Sequence, residues 1–449
     1  MTRILIPSGV LGLGFDEDAL WRGVGMQPDL IAIDGGSTDS GPASLGSATS
    51  KYSRAATKAE WRVLMQARAK AGVPLVIGTS GTAGTDANVD WMYQITCELA
   101  QDLGQSLTIA RLYSEQSPET IAQAFEAGKV TPLDPAPDLD ADAIRGMTHI
   151  VALAGAEQIQ AALATGADIV LAGRTTDTAI IAALPLQNGD HPGAAWHGAK
   201  VGECGALCST NPTSGVILAD FDATGFAVKP LATGAVCTAH SVSAHMLYEN
   251  SDPFILYEPG GHLDVTAARY HPAGDGAVRV EGANWVVAPD YRVKLEAARV
   301  AGYQTTLLAI LRNRRYVENA ALWADKLNTF LRREIARRMG LNDGYVLDIR
   351  LIGVNATLGT LEAQTGAPVE VGVLVIVTAD TQDQATEIGK LINPFLLHYP
   401  LTEDEELPTF AFPYSPVHSE RGALYEFAMN HVLTLSDPMD AFRIQVDRI

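Results

Sequence analysis

The sequence predicts an α/β protein with a doubly wound, mostly parallel sheet in its first part and a mixed α+β region in its second. Over residues 1–188, short apolar runs alternate with helical patterns, which implies parallel strands joined by right-handed crossovers. After Pro185 the apolar runs are shorter, richer in glycine and less often separated by helices, which favours antiparallel or mixed layers. We therefore predict one domain over residues 1–188 and a second over 189–449.

Each predicted strand of the first domain is a short apolar run bounded by turn residues or charges. The six strands are Arg3–Pro7, Leu30–Asp34, Val73–Ile77, Leu107–Tyr113, His149–Leu153 and Ala167–Leu171. The helices between them are Asp16–Gly25, Lys58–Ala71, Asn88–Leu103, Pro118–Ala127 and Ala156–Ala164. Acidic residues in the first turn of the first helix mark its start, because they interact favourably with the helix dipole.

The second domain is predicted to contain shorter strands followed by longer elements. The short strands are Val216–Phe221, Ala227–Leu231, Ala277–Val280 and Ala283–Ala288. The longer elements are helices at Val293–Leu311 and Val317–Met339, strands at Tyr345–Gly353 and Val369–Thr378, and a helix at Thr381–Leu396. The strand–strand–helix order near residues 345–396 is that of half a ferredoxin-like unit.

Composition excludes several classes of protein. The chain has 449 residues, and its net charge of −20 argues against nucleic acid as a partner. Its four cysteines show no disulfide framework, which fits a reducing compartment. The sequence shows neither a signal-peptide pattern nor an apolar run of membrane-spanning length. We expect a cytoplasmic protein that binds neither nucleic acid nor membrane.

Three polar loops, Asp34–Gly41, Gly78–Gly84 and Gly173–Thr178, each follow a predicted strand. In a parallel sheet they would meet at one edge and form one pocket, where glycines allow close approach and hydroxyls supply hydrogen bonds. None of them is a P-loop or a GxGxxG motif, so neither ATP nor NAD is indicated. The candidate substrate-binding residues are Asp34, Gly35, Gly36, Ser37, Asp39, Thr79, Ser80, Gly81, Arg174, Thr175, Thr176 and Asp177.

Arg174 is the most informative of these residues. Its forked guanidinium suits a carboxylate or a phosphate, and a helix N-terminus beside it would add N–H donors. The sequence leaves a second interpretation open, in which Arg174 forms a structural ion pair and Thr175 caps the helix.

Two further groups offer residues for proton transfer. Lys200 and Glu203 could act as anion ligand and general base, or form an exposed ion pair. Beside them, Cys204 is more often a packing residue than a nucleophile, and its spacing from Cys208 does not predict a cysteine-type zinc site.

In the other group, Glu258, His262 and Asp264 surround a Gly-Gly turn. This combination suits acid–base catalysis, with His262 as the preferred proton carrier, or could hold a hard divalent cation such as Mg²⁺.

Long segments of the chain resemble the acyclic terpene utilisation (AtuA-like) family in its short form. The segments are IDGGSTDSGP (33–42), DIVLAGRTTDTAI (168–180), HGAKVGECGALCSTNP (197–212), YENSDPF to EPGGHLD (248–264), IGVNATLG (352–359) and FPYSPVHSERGALYEFAMNHV (412–432). The resemblance implies a role in carboxylic-acid or acyl-CoA catabolism and a small companion protein. The longer, terpene-linked members carry a C-terminal extension that this chain lacks.

The leading hypothesis is a catabolic enzyme that acts on a small hydroxy-carboxylate or its CoA ester, as a lyase of the hydration/dehydration type. An anion-binding sheet edge and a separate set of proton carriers motivate it. One alternative is a non-catalytic ligand-binding or scaffold subunit that works with the companion protein. Another is an acyl-CoA-linked ligase or transferase in acyclic terpenoid breakdown. The expected partners are a small anionic substrate, the companion and further copies of the chain in a homo-oligomer.

Overall fold

Strands and helices alternate along much of the chain in the computed structural model, which describes residues 1–364, 366 and 368–449. The strands are β1 (Thr2–Ile6), β2 (Leu30–Asp34), β3 (Leu75–Gly78), β4 (Thr108–Tyr113), β5 (Glu115–Gln116), β6 (Val130–Pro132), β7 (His149–Ala152), β8 (Ile169–Ala172), β9 (Ile217–Phe221), β10 (Gly225–Pro230), β11 (Ile255–Glu258), β12 (Gly261–Asp264), β13 (Arg269–Pro272), β14 (Val278–Glu281), β15 (Asn284–Val287), β16 (Tyr291–Leu311), β17 (Tyr345–Ile352), β18 (Val371–Ala379), β19 (His418–Leu435) and β20 (Arg443–Arg448). The α-helices are α1 (Glu17–Val24), α2 (Ala43–Ser47), α3 (Arg54–Ala71), α4 (Asp86–Leu103), α5 (Pro118–Glu126), α6 (Ala141–Arg145), α7 (Ala156–Leu163), α8 (Ala179–Gln187), α9 (Pro192–Gly202), α10 (Ala239–Ala244), α11 (Arg314–Glu318), α12 (Ala320–Met339) and α13 (Gln382–His398). Across these described ranges, none of the helices has both the length and the apolar character needed to cross a membrane.

The chain divides into two units that differ from the predicted domains. Unit 1 comprises Met1–Arg299 and Phe427–Ile449, and unit 2 comprises Val300–Glu426. The predicted boundary at residue 188 falls inside unit 1, because β9 and β10 extend the same sheet that contains β1. The strands β16 and β19 each begin in one unit and end in the other.

A ten-stranded mixed sheet, in the order β13-β14-β10-β9-β1-β2-β3-β8-β4-β20, forms the centre of unit 1. Its five middle strands β1, β2, β3, β8 and β4 are parallel to one another. Antiparallel strands continue the sheet on both sides, with β9 next to β1 and β20 next to β4. The α/β fold class predicted from the sequence is confirmed.

Apolar side chains on both faces of this sheet explain the uninterrupted hydrophobic runs in its parallel strands. In β2, Leu30 and Ala32 belong to one buried core cluster, whereas Ile31 and Ile33 belong to another. Successive residues of a strand point to opposite faces, so a sheet covered on both sides needs apolar residues at every position.

The prediction of a helix over Val293–Leu311 is wrong, because this segment belongs to the long strand β16. Alanine, leucine, glutamate and arginine favour helices, but pairing with neighbouring strands overrides that preference. Within unit 1, Leu295 and Ala298 pair with the residues of β7 in antiparallel register. His149–Leu153 was therefore assigned to the wrong sheet: β7 pairs with β16 and β5 rather than with the parallel strands.

Unit 2 has the order β16-α12-β17-β18-α13-β19, with the sheet order β17-β18-β16-β19. This is the βαββαβ arrangement of ferredoxin-like folds. The sequence predicted only its strand–strand–helix half, since β16 was predicted as a helix. Alternate residues of β16, including Leu307, Ala309 and Leu311, are buried against the helices of the unit.

A substitution at Gly84 tests how tightly the loop after β3 is packed. Its φ is +65°, and a Cβ atom there would lie 2.2 Å from the backbone nitrogen of Arg174. We expect Gly84→Ala to cost about 1–2 kcal/mol of unfolding free energy for the left-handed backbone and about 1–3 kcal/mol more for the overlap. Gly72→Ala is the matched control, because Gly72 has φ +70° with open space around its Cβ position. Denaturant unfolding measures both variants, and equal losses would contradict the packing described here.

Candidate active site

The three polar loops meet at the carboxyl edge of the parallel strands, as predicted. The strands β2, β3 and β8 are neighbours in the sheet, and Asp34 pairs with Gly78 at the edge. Backbone hydrogen bonds connect the loops: Gly35 N donates to Gly78 O at 2.8 Å, and Thr79 N donates to Gly173 O at 2.9 Å. The sequence interpretation of one shared edge is confirmed.

Many of the loop residues predicted to bind substrate serve the packing of the loops themselves. Thr79, Ser80 and Thr175 are fully buried. A Cβ atom at Gly35 would lie 2.7 Å from Gly78 O, and one at Gly36 or Gly81 would meet a neighbouring residue at 2.6 or 2.8 Å. Gly35 and Gly36 therefore allow backbone to approach backbone, and Gly81 leaves room for the side chain of Asn88.

Arg174 has an internal partner, which favours its interpretation as a structural ion pair. Its Nε and Nη2 donate to the two carboxylate oxygens of Glu296 at 3.1 and 3.4 Å, and its Nη1 donates to Thr79 Oγ1 at 3.2 Å. Both side chains are buried. Burial raises the pKa of Glu296, but Arg174 and Lys294 outweigh this effect and hold that pKa at about 2. Glu296 occupies the guanidinium fork that was expected to hold a substrate carboxylate.

Several residues of these loops, among them Asp34, Ser37 and Asp177, line a polar cavity of about 440 Å³. Its lining includes Asp34, Gly36, Ser37, Asp39, Lys51, Tyr52, Asp177, Cys204, Tyr248 and Glu249. Burial is the main cause that raises the pKa of Asp34, and the neighbouring Asp177 raises it further. Burial also raises the pKa of Asp177 to about 6, although Arg174 opposes the shift. This excess of carboxyl groups makes the cavity more suitable for a cation than for the anion expected here.

Lys200 and Glu203 form a buried ion pair beside the polar cavity, and not an exposed one. Lys200 Nζ donates to Glu203 Oε1 and, at 2.8 Å, to the carbonyl oxygen of Tyr248. Both side chains are less than a tenth exposed. Burial raises the pKa of Glu203 to about 8 despite the nearby ammonium. Because these contacts already engage Lys200, it is a poor candidate for an anion ligand.

A second cavity, of about 530 Å³, lies at the turn between β11 and β12 and has mostly apolar walls. The apolar part is formed by Leu133, Leu153, Tyr257, Pro259, Ala288, Pro289 and Val432, and the polar part by Thr176, Glu258, His262, Asp290, Arg292 and Lys294. Thr176 and Asp177 are consecutive, yet they line different cavities. The loop Gly173–Thr178 therefore contributes to both.

Glu258 and His262 share the apolar cavity. The hydroxyl of Thr178 donates to Glu258 Oε1, whereas Glu258 Oε2 is shielded from solvent and has no hydrogen-bond partner among the described residues. Burial is the main cause that raises the pKa of Glu258 to about 7. The His262 ring lies 5.6 Å from the ring of Tyr257, measured between centroids. A carboxyl group with this pKa can donate or accept a proton near neutral pH.

Asp264 was predicted to work with His262, but it stabilises a turn. Its Oδ1 accepts a hydrogen bond from Thr266 N at 2.8 Å, and contacts with Thr266 lower its pKa. The sequence interpretation missed Arg292 and Lys294, which lie in β16. In the sequence, Arg292 and Lys294 alternate with the apolar residues Val293 and Leu295, which are buried in the structure. This alternation is typical of a strand and could have indicated their exposed positions.

The comparison with family models supports the resemblance seen in the sequence. The model described as "Acyclic terpene utilisation family protein AtuA" matches residues 43–404. Among curated proteins, and likewise among solved structures, none matches the chain significantly.

Arg174→Ala tests whether the arginine has a structural role. The change removes the buried partner of Glu296 and leaves only the half-exposed Lys294 at 3.3 Å, so we expect a loss of about 2–4 kcal/mol of unfolding free energy, somewhat below the cost of a buried charge with no partner. Arg145→Ala is the control, because Arg145 is partly exposed and pairs with Glu119 at 2.8 Å on the surface; such pairs contribute about 0–1 kcal/mol. Denaturant unfolding compares the two variants. A loss at position 174 no larger than that at position 145 would contradict the structural role.

Proposed function

The chain belongs to the acyclic terpene utilisation (AtuA) family, and from this premise we propose that it is a catabolic enzyme whose active centre is the apolar cavity around Glu258 and His262. Family membership supports a role in acyclic terpene catabolism. The finer proposal is that the substrate is a hydroxy-carboxylate or its CoA ester, and that the reaction adds or removes water.

The observation that carries the proposal is the combination of groups around one cavity. Its apolar wall suits a hydrocarbon chain, because burial of such a chain releases water from both surfaces. Arg292 and Lys294 belong to its lining. Arg292 pairs with Asp290 at 3.2 Å and Lys294 with Glu296 at 3.3 Å. Both cations are about half exposed, unlike the buried Lys200, so their free N–H groups can still donate to a carboxylate or to the phosphates of CoA. Glu258 and His262 supply two proton carriers in the lining of the same cavity, from opposite faces of the β11–β12 hairpin.

A dehydration needs one group that removes a proton and another that supplies one. His262, in its neutral form, takes the proton from the carbon next to the carbonyl group. Glu258, which holds its proton up to a pKa of about 7, donates that proton to the hydroxyl group on the neighbouring carbon, and this group leaves as water. The carbon–carbon double bond forms as the C–H and C–O bonds break. Hydration is the reverse, with the two residues in opposite proton states.

The direct test measures turnover of a panel of hydroxy acids and acyl-CoA esters, with and without Mg²⁺. We expect Glu258→Gln and His262→Ala each to lower kcat by about 10²–10⁴-fold, the usual contribution of a general acid or base. Asp264→Asn is the matched control, since Asp264 lies on the same strand as His262 but holds a turn. Binding without turnover of any substrate would instead favour the non-catalytic subunit, and normal turnover in both site variants would remove this cavity from the mechanism.

The raised pKa of Glu258 also predicts how stability depends on pH. The folded protein binds the Glu258 proton more tightly than the unfolded chain, whose carboxyl groups have a pKa near 4.5. The wild type therefore loses stability from this group as the pH rises from about 4.5 through 7, by an amount on the order of 3 kcal/mol. The charged or polar groups that act on Glu258 are Thr176, Thr178, Asp177 and Lys200.

Glu258→Gln removes this loss. We expect the melting temperature of the variant, relative to wild type, to rise between pH 5 and pH 8. Glu119→Gln, at an exposed position, should show no such trend. A constant difference between Glu258→Gln and wild type over this range would contradict the raised pKa.

A further inference from the structure

Three residues beside the polar cavity bring together a mixed set of metal-binding groups. The carboxylate of Glu203, the thiol of Cys204 and the imidazole of His245 lie within 4.8 Å of one another. Glu203 follows the last residue of α9, Cys204 comes next in the chain, and His245 follows α10. Two separate segments of unit 1 therefore converge on one point.

His245 provides an independent sign that this point can hold a ligand. Its side chain is only 2% exposed, and Nε2 lies 3.9 Å from Glu203 Oε1. Within the described part of the chain, Nε2 has no hydrogen-bond partner. A buried polar atom without a partner costs free energy, so such atoms often mark a missing ligand. Burial lowers the pKa of His245 to about 4, which keeps the ring neutral, the form that binds metals.

The surrounding charge favours a cation. Asp34, Asp39, Asp177 and Glu249 line the adjoining cavity, together with a single lysine, Lys51. Among the described residues, the ammonium of Lys200 donates a hydrogen bond to one carboxylate oxygen of Glu203, Oε1. Oε1 is also the oxygen that lies 3.9 Å from His245 Nε2, so a metal ion binds Glu203 once the Lys200 ammonium gives up Oε1 and keeps its contact with Tyr248.

We propose that Glu203, Cys204 and His245 bind a zinc ion whose fourth position opens to the polar cavity. Cys204 lines that cavity, so a water molecule or a substrate oxygen can reach the ion from it. Three protein ligands with one open position are typical of catalytic zinc sites. A thiolate and an imidazole select zinc over Mg²⁺, which prefers oxygen ligands.

Binding changes one bond at Cys204. Its S–H bond breaks, a Zn–S bond forms, and the proton leaves to solvent. Because a thiol must lose its proton to bind zinc, zinc affinity should fall as the pH is lowered.

The test measures metal binding directly and does not depend on any enzymatic activity. The full chain is stripped with a chelator, then titrated with Zn²⁺ by calorimetry and with Co²⁺ by absorption spectroscopy. We expect one ion per chain and a thiolate-to-cobalt charge-transfer band in the near ultraviolet. Cys204→Ser should abolish this band. It should also weaken zinc binding by more than 100-fold, because loss of a residue that only contacts a metal ligand already weakens binding by roughly 10–100-fold. Cys97→Ser is the matched control, since Cys97 lies in α4, away from the cluster.

A second measurement uses the unaltered protein, in case a variant does not fold. Zn²⁺ should protect Cys204 from alkylation, as detected by peptide mass spectrometry, and should leave the labelling of Cys97 unchanged. Stoichiometric binding with protection of Cys204 supports the site even if no substrate is turned over. The absence of stoichiometric binding, or a charge-transfer band that persists in Cys204→Ser, would overturn the proposal.

Discussion

The buried ion pair between Arg174 and Glu296 connects the three polar loops at the carboxyl edge of the parallel strands. Arg174 belongs to the loop after β8, and its Nη1 donates to Thr79 in the loop after β3. The hydroxyl of Thr38, in the loop after β2, donates to Glu296 Oε2 at 3.2 Å. Glu296 itself lies in β16. This ion pair therefore holds three loops against β16, a strand of a different sheet. The shape of the cavities beside these loops depends on the same ion pair.

This constraint gives the loop Gly173–Thr178 two different environments. Thr176 lies in a cavity with apolar walls, and Asp177 lies in a cavity rich in carboxyl groups. The two cavities differ in chemistry: the first has mostly apolar walls, and the second is rich in carboxyl groups. The carboxyl groups near the loop also influence one another, since Asp177 contributes to the raised pKa values of Asp34, Glu203 and Glu258.

The parallel core of the fold was predictable because its strands are apolar on both faces and are separated by helices. The edge where the loops meet followed from that topology alone. The strand β16 was not predictable in the same way: its residues favour a helix, and only its pairing partners make it a strand. The ion pair of Arg174 with Glu296 could therefore not be predicted, since Glu296 lies in that segment. The proximity of Glu258 to His262 followed from their short separation in the sequence, whereas the cluster of Glu203 with His245 joins residues about forty positions apart and needs the fold.

The close contacts among the loop glycines have a consequence for the thermodynamics of ligand binding. Gly35, Gly36 and Gly84 leave no room for side chains between neighbouring backbones, and the threonines beside them are buried. The edge of the sheet is therefore ordered before a ligand arrives. A ligand that binds there loses its own freedom of motion but does not have to order the protein. Since ordering of side chains and loops is a major cost of association, this rigidity allows even a small molecule with few contacts to bind.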